Sequence, residues 1–309
     1  MSALISVAQV AVEPWIAITL LAAGLQNARS ALQKKLTEQL DATEASYVRF
    51  CFALPFALAY VLILVAAGVE LPPLNGRFLA FAVAGGMAQI AGTVALIRSF
   101  GYRNFAVGTA YSKTEAVQTV PFSLLLIGEG VSWGVVVGIG ISLAGVLLLS
   151  PRTPRAAAAA QRSLWIGAGG WFGMGAGAGF AFSAVCYRAA SLSLDGNYIL
   201  TAALTLLAAT AAQTVVMGGW IGRRSGALHR IATTWRTSFW VGLTGMTASA
   251  GWFTAMTLQS APLVRALGQV ELLFALVVSL LVFREHVRIA EVAGSTLIVV
   301  GIVLVLLLR

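Results

Sequence analysis

Charged residues are scarce. They make up 10% of the 309 positions, against about 25% in a soluble globular domain. Too few are present to cover a water-facing surface. Cysteine is nearly absent: Cys51 and Cys186 both fall inside apolar runs, which argues against a disulfide framework. Short alternating segments rich in turn residues are missing, which excludes the pattern of a β-barrel. Residues 1–12 carry no basic stretch. The first long apolar run continues to Lys34 and Lys35 without a small-residue cleavage site, so no signal peptide is expected. His229 and His286 both stand in loops, and no nucleophile–base constellation falls inside the apolar runs. No metal and no cofactor is therefore expected. The glycine-rich stretch 167–179 is not a phosphate loop, since no strand precedes it and no Lys-Ser/Thr follows. Its glycines suit close helix packing in lipid.

What the chain does have is apolar length. The mean hydropathy is +0.89. Runs of about 20 apolar residues, the length that crosses the hydrocarbon core as a helix, recur from Trp15 to Leu308. Backbone groups in lipid must bond internally, so these runs are expected to be helices. Spans are predicted at 14–35, 44–68, 77–100, 104–127, 130–150, 163–188, 197–221, 236–259, 262–283 and 286–308. The polar stretches between them, 151–162 with its five alanines and 222–236, are too short for a soluble domain. The first reads as a linker, with a surface helix as the alternative for its alanine run. The net charge of +9 reflects Lys and Arg in short loops, which fits topology anchoring and not nucleic-acid binding. Thirteen such residues, from Lys34 to Arg288, fall on one side and three on the other, which favours both termini outside the cytoplasm.

An internal repeat organises the spans. At an offset of 156 residues, 111–150 aligns with 267–306. Glu115 falls on Glu271, Ser123 on Ser279 and Glu129 on Glu285, with Gly138 on Gly294 and Gly145 on Gly301. Intramembrane glutamates are rare, so their joint recurrence carries the alignment. The expected architecture is an all-α membrane protein. Ten transmembrane helices form two inverted five-helix repeats, 1–150 and 163–309, joined by the linker 151–162. Five is odd, so the second copy enters the membrane upside down, an arrangement many secondary transporters use.

Each copy ends in an apolar helix, a glutamate-bearing turn and a glycine-spaced helix. The segments are Leu125-Leu126-Ile127-Gly128-Glu129 and Leu281-Val282-Phe283-Arg284-Glu285, followed by Gly138/Gly145 and Gly294/Gly301. This pattern resembles the EamA-type transporters of the drug/metabolite transporter superfamily. The resemblance implies a basket of ten helices in which the third, fourth, eighth and ninth line a cavity. The fifth and tenth would sit at the periphery. It also implies cytoplasmic termini, against the loop charge, and more often Gly-Glu where this chain has Arg284-Glu285.

Glu115 and Glu271 are placed near the middle of the fourth and ninth helices. A central charge costs about 2.5–3.5 kcal/mol on translocon-type scales, so such groups face a cavity or a partner. Their functional reading is binding of a cationic substrate group or a proton. Their structural reading is an ion pair with Lys113 or Arg265. Lys113 and Glu115 are two apart and point to different helix faces. A cross-pair from Lys113 to Glu271 is the alternative. Gln89, Tyr111, Gln118, Trp252 and Gln269 join the candidate substrate-binding set, Tyr111 and Gln118 because they share the face of Glu115 in a regular helix. An aromatic beside a carboxylate suits an ammonium or a ring-bearing solute; interhelical packing is the plain alternative for each. Pro121 permits a kink in the fourth helix. Glu129 and Glu285 are expected in the first turn of the helix that follows each, and Arg29 and Arg49 are expected to snorkel.

The expected function is secondary transport of a small organic solute, such as an amino acid, an amine or a related metabolite, by alternating access. Proton coupling is a further expectation. The location is the inner cell membrane, with lipid and the solute as partners and no nucleic acid. A membrane-embedded enzyme or a structural subunit of a membrane complex are the rival readings.

Overall fold

The computed structural model describes residues 13–100, 110–149, 168–282 and 288–309. Every regular element among them is a helix. In chain order these are α1 (Pro14–Leu36), α2 (Ala42–Cys51), α3 (Ala53–Ala66), α4 (Gly76–Phe100), α5 (Glu115–Ile127), α6 (Trp133–Leu149) and α7 (Ala168–Leu192). They continue with α8 (Tyr198–Ile221), α9 (Ala227–Thr233), α10 (Trp235–Leu258), α11 (Ala261–Gly268), α12 (Val270–Val282) and α13 (Ile289–Leu307). Among the described residues, four stretches are long and apolar enough to cross a membrane: Ala42–Ala66, Gly76–Ser99, Tyr198–Ile221 and Ile289–Leu307. The chain is thus an all-α, multi-pass membrane protein. The linker 151–162, Arg103, and the Arg284-Glu285 and His286 segment lie outside the described residues.

Local chemistry sets the boundaries. Pro14 opens α1, where a missing N–H is an orphan in any case. The span Ala42–Ala66 is interrupted at Phe52. Pro55 lies three residues on and cannot donate to the carbonyl of Cys51, which loosens the turn at that point. α5 ends on Gly128 in the left-handed region (φ 70°), and the Glu129 N–H closes back on the Ser123 carbonyl at 3.2 Å. Glu129 therefore belongs to the C-terminal cap of α5 and not, as expected, to the first turn of α6, which starts at Trp133. Before α13 that role falls to Glu291, whose carboxylate accepts from the Arg288 N–H at 2.9 Å.

Chain contacts divide the protein into two compact units. One contains Glu13–Met87 and Ser183–Ser260, the other Ala88–Phe182 and Ala261–Arg309. In the first unit α1 packs on α10. Gly251 lets α10 approach Ala22, where a Cβ would sit 2.9 Å from the Ala22 side chain. Arg29 is buried between these helices and does not snorkel; its stem lies against Gly245. Arg188 donates to the carbonyls of Met256 and Gln259 at 2.6 and 2.7 Å, so it caps the C-terminus of α10.

The basic stretch 222–236 is not a plain loop. It contains α9, whose Ala227 and Ile231 are buried with Leu36, Leu40, Val48 and Val241. Its cations are drawn to the N-terminus of α2, where Asp41 and Glu44 form a capping box. Arg224 meets Asp41 at 2.6 Å, and Arg230 pairs with the buried Glu44. Burial pushes the Asp41 carboxyl up. The Glu44 and Thr43 N–H groups and the Arg224 guanidinium outweigh it and hold the carboxyl below its ordinary range. A depressed folded value means that the stability is present above the unfolded value, about 3.9, and lost as pH falls through the folded one. Asp41→Ala is expected to cost about 1 kcal/mol, as for other N-cap losses. It should also flatten the acid side of a melting-temperature against pH curve measured on the purified protein.

Candidate functional site

Two discontinuous helices build the site, both in the second unit. The segment leading into α5 is helical at 110–112, turns at 113–114 and resumes at Glu115. There Lys113 N–H reaches Ala110 and Thr114 N–H reaches Tyr111, three residues back instead of four. α11 likewise stops at Gly268, turns at Gln269 and resumes as α12 at Val270, with the Gln269 N–H on Ala266. Under the 156-residue offset Lys113 corresponds to Gln269, so the two breaks fall at equivalent positions. Backbone irregularity at membrane depth survives only where it is buried in protein or lines a cavity.

The breaks correct the expected placement of both glutamates. Neither lies in mid-helix. Glu115 occupies the first turn of α5 and Glu271 the first turn of α12. The positive end of a helix dipole favours a carboxylate there. Each carboxylate is met by a cation from the other discontinuous helix. Lys113 donates to Glu271, and Arg265 Nε lies 3.0 Å from Glu115 Oε1. Glu271 is 9% exposed, and Glu115, Lys113 and Arg265 are half-buried. Lys113 also lies within electrostatic reach of Glu115 and Arg265, so the four groups form one cluster with no net charge.

The polar shell follows from the turns. Thr114 Oγ1 donates to the Tyr111 carbonyl at 2.6 Å. Gln118 donates to Thr114 Oγ1 at 2.7 Å and to the Met174 carbonyl on α7 at 3.2 Å. Gly177 leaves room for this approach, since a Cβ there would sit 2.9 Å from Thr114 Oγ1. Gln118 thus supports the break, and Tyr111 lies on the short helical segment that precedes it. Gln269, 4% exposed, accepts from the Ser142 hydroxyl of α6, and its Nε2 has no hydrogen-bond partner among the described residues. Gln89 is half-buried on α4, with its carbonyl accepting from Thr93. Trp252 belongs to the other unit, where its indole N–H donates to Gln26 Oε1 at 3.0 Å. Ser142 and Thr114 were missed by the sequence reading. A hydroxyl in an apolar run carries no signal of its own until its partner is known.

α6 and α13 flank this site through glycine. A Cβ on Gly138 would meet the Gly301 carbonyl at 2.9 Å and one on Gly145 the Gly294 carbonyl at 2.5 Å. The same clashes hold from the other side, at 2.6 Å for Gly301 on Gly138 and 2.8 Å for Gly294 on Gly145. The order of contacts makes the pair antiparallel.

Residues 13–150 match the EamA-like transporter family. No curated protein matches. A solved structure titled only as the crystal structure of a protein is similar in fold, with a TM-score of 0.67 and 15% identity. The match covers 95% of this chain and 97% of that one. Residues 13–150, just under half of the chain, are therefore similar to the EamA-like transporter family.

Proposed function

We propose that this chain is a secondary carrier for a small organic solute, such as an amino acid, an amine or a related metabolite, and that it works by alternating access in the inner cell membrane. Ten transmembrane helices in two inverted repeats, 1–150 and 163–309 with the linker 151–162, are the architecture of this reading. The observation that carries it is the pair of carboxylates, Glu115 and Glu271, at equivalent helix breaks. Broken helices at membrane depth are the usual seats of solute and ion sites in such carriers. The reciprocal glycine contacts support the inverted repeat. If residue 138 meets 301, a two-fold relation with the 156-residue offset requires 145 to meet 294, and it does.

In this reading the carboxylates receive a cationic group of the solute or a proton. Gln269, beside Glu271, offers an amide donor for a further polar group. Tyr111, Gln118, Gln89 and Trp252 are the remaining candidates for solute contact. Among them Gln118 acts through the Thr114 turn.

A panel of amines, amino acids and related metabolites should first be screened for those that raise the melting temperature of the purified protein. With the solute so found, Glu271→Gln is expected to abolish counterflow in proteoliposomes or to shift its pH dependence. Wild-type counterflow at every pH would remove this carboxylate from the mechanism.

A further inference from the structure

We propose that the basic end of the first unit binds the phosphate headgroups of anionic membrane lipid through Arg223 and Arg236. One core gathers the helix ends there: Leu36 of α1, Val48 of α2, Ile221 of α8, Ile231 of α9 and Val241 of α10 pack together. The segments around this core, 34–44 and 220–240, carry six cations, Lys34, Lys35, Arg223, Arg224, Arg230 and Arg236, against three carboxylates, Glu38, Asp41 and Glu44. All six cations are exposed, as are Trp220 and Trp235. Two of the arginines serve the fold, Arg224 on Asp41 and Arg230 on Glu44. The other two meet no carboxylate among the described residues. Arg223 donates one N–H to the Gly219 carbonyl at 3.2 Å, and the Arg236 guanidinium lies over the Trp235 ring, 5.6 Å from its centroid.

The patch lies at the depth of a headgroup. The apolar stretch Tyr198–Ile221 ends just before Arg223. Indole rings settle at the membrane–water interface, so the exposed Trp220 and Trp235 mark that level. A guanidinium held over such a ring sits at the same level, beside the lipid phosphates. Arginine carries five N–H donors in a planar fork that matches two phosphate oxygens at once. Stacking on Trp235 occupies the flat face of Arg236 and leaves its donors at the edge, and Arg223 gives only one of its own to Gly219. The surplus of cations draws anionic headgroups to this end. Charge that serves only to set topology needs no particular residue, whereas here two arginines lack a protein anion while their neighbours have one. Indoles at the lipid boundary favour a lipid phosphate over an acidic protein segment as the occupant.

The test needs no solute, and its failure leaves the carrier reading standing. The full chain is purified in dodecyl maltoside, and its melting temperature is measured with added phosphatidylglycerol or phosphatidylcholine of the same acyl chains. Phosphatidylglycerol should raise the wild-type value by several degrees above phosphatidylcholine, and salt should shrink the difference. Arg223→Gln with Arg236→Gln should lose that difference and melt like wild type in phosphatidylcholine. Arg77→Gln with Arg98→Gln removes the same charge from two other exposed positions and should keep it. Arg223→Lys with Arg236→Lys retains the charge and should keep part of it. If the double glutamine variant is unstable in phosphatidylcholine, each single exchange should still lose part of the difference.

A full phosphatidylglycerol effect in the glutamine variants of Arg223 and Arg236 overturns the assignment to these residues. An equal loss in the Arg77 and Arg98 control overturns it too, since the attraction would then be that of net charge alone. Glycerol phosphate that reproduces the rise without lipid would make the ligand a soluble phosphate. Polyglutamate that does so in phosphatidylcholine would make it an acidic protein segment. Either result rules out lipid as the occupant.

Discussion

Glu271→Leu is expected to lower stability by about 3–5 kcal/mol, the cost of removing one partner of a buried ion pair. The loss comes less from the missing attraction than from what it leaves behind. Lys113 would keep its ammonium in a protein interior with the Glu271 carboxylate gone. Lys113→Met combined with Glu271→Leu removes both charges and fills the space with apolar volume. It should recover most of the loss, because a well-packed apolar pair often matches a buried salt bridge. Unfolding of the four proteins in one detergent gives the double-mutant cycle, with an expected coupling of about 3 kcal/mol or more, the upper end for residues in contact. A double variant whose loss equals the sum of the two single losses would mean that the two side chains are not coupled.

The second large effect lies between α6 and α13. Gly145→Leu puts a branched side chain where a single Cβ already falls 2.5 Å from the Gly294 carbonyl and 2.8 Å from the Ile298 nitrogen. Both obstacles are backbone, so no side chain can swing away. Overpacking of a rigid interior costs about 1–3 kcal/mol and more where backbone must move. Close backbone approach is also what holds helices together in lipid, where hydrophobic burial gives little. The variant should lose a large share of folded material in size-exclusion profiles after purification. Gly140→Leu, on the same helix with nothing within 4 Å of its Cβ, should be nearly neutral. Equal behaviour of the two variants would show that the contact is not limiting.

Much of this protein is written in its composition. A chain with 10% charge and repeated apolar runs has no route to a soluble fold. Helices follow, because lipid offers the backbone no other partners. The 156-residue offset also marked residues that matter. It linked Glu115 with Glu271 and Gly138 and Gly145 with Gly294 and Gly301. Rare residues in an apolar background are legible because nothing else explains them.

The helix breaks were not legible. Lys113 and Thr114 have no proline or glycine beside them, Gly268 before Gln269 is one of many glycines in the apolar runs, and hydropathy reads through each turn as one span. Only the tertiary fold decided that the backbone turns there. Gln118 and Gly177 supply the partner and the space for the first turn, and Ser142 supplies a partner for Gln269 at the second. The ion pairs were open for the same reason. Sequence spacing ruled out Lys113 with Glu115 on a regular helix, but it could not choose between a cross-pair and a free ligand site. Pairing across 158 residues depends on how two helices are rotated against each other, and packing sets that rotation. The sequence alone determined a helical membrane chain with two equivalent glutamates. The tertiary structure decided that each glutamate opens a broken helix and faces a cation from the other.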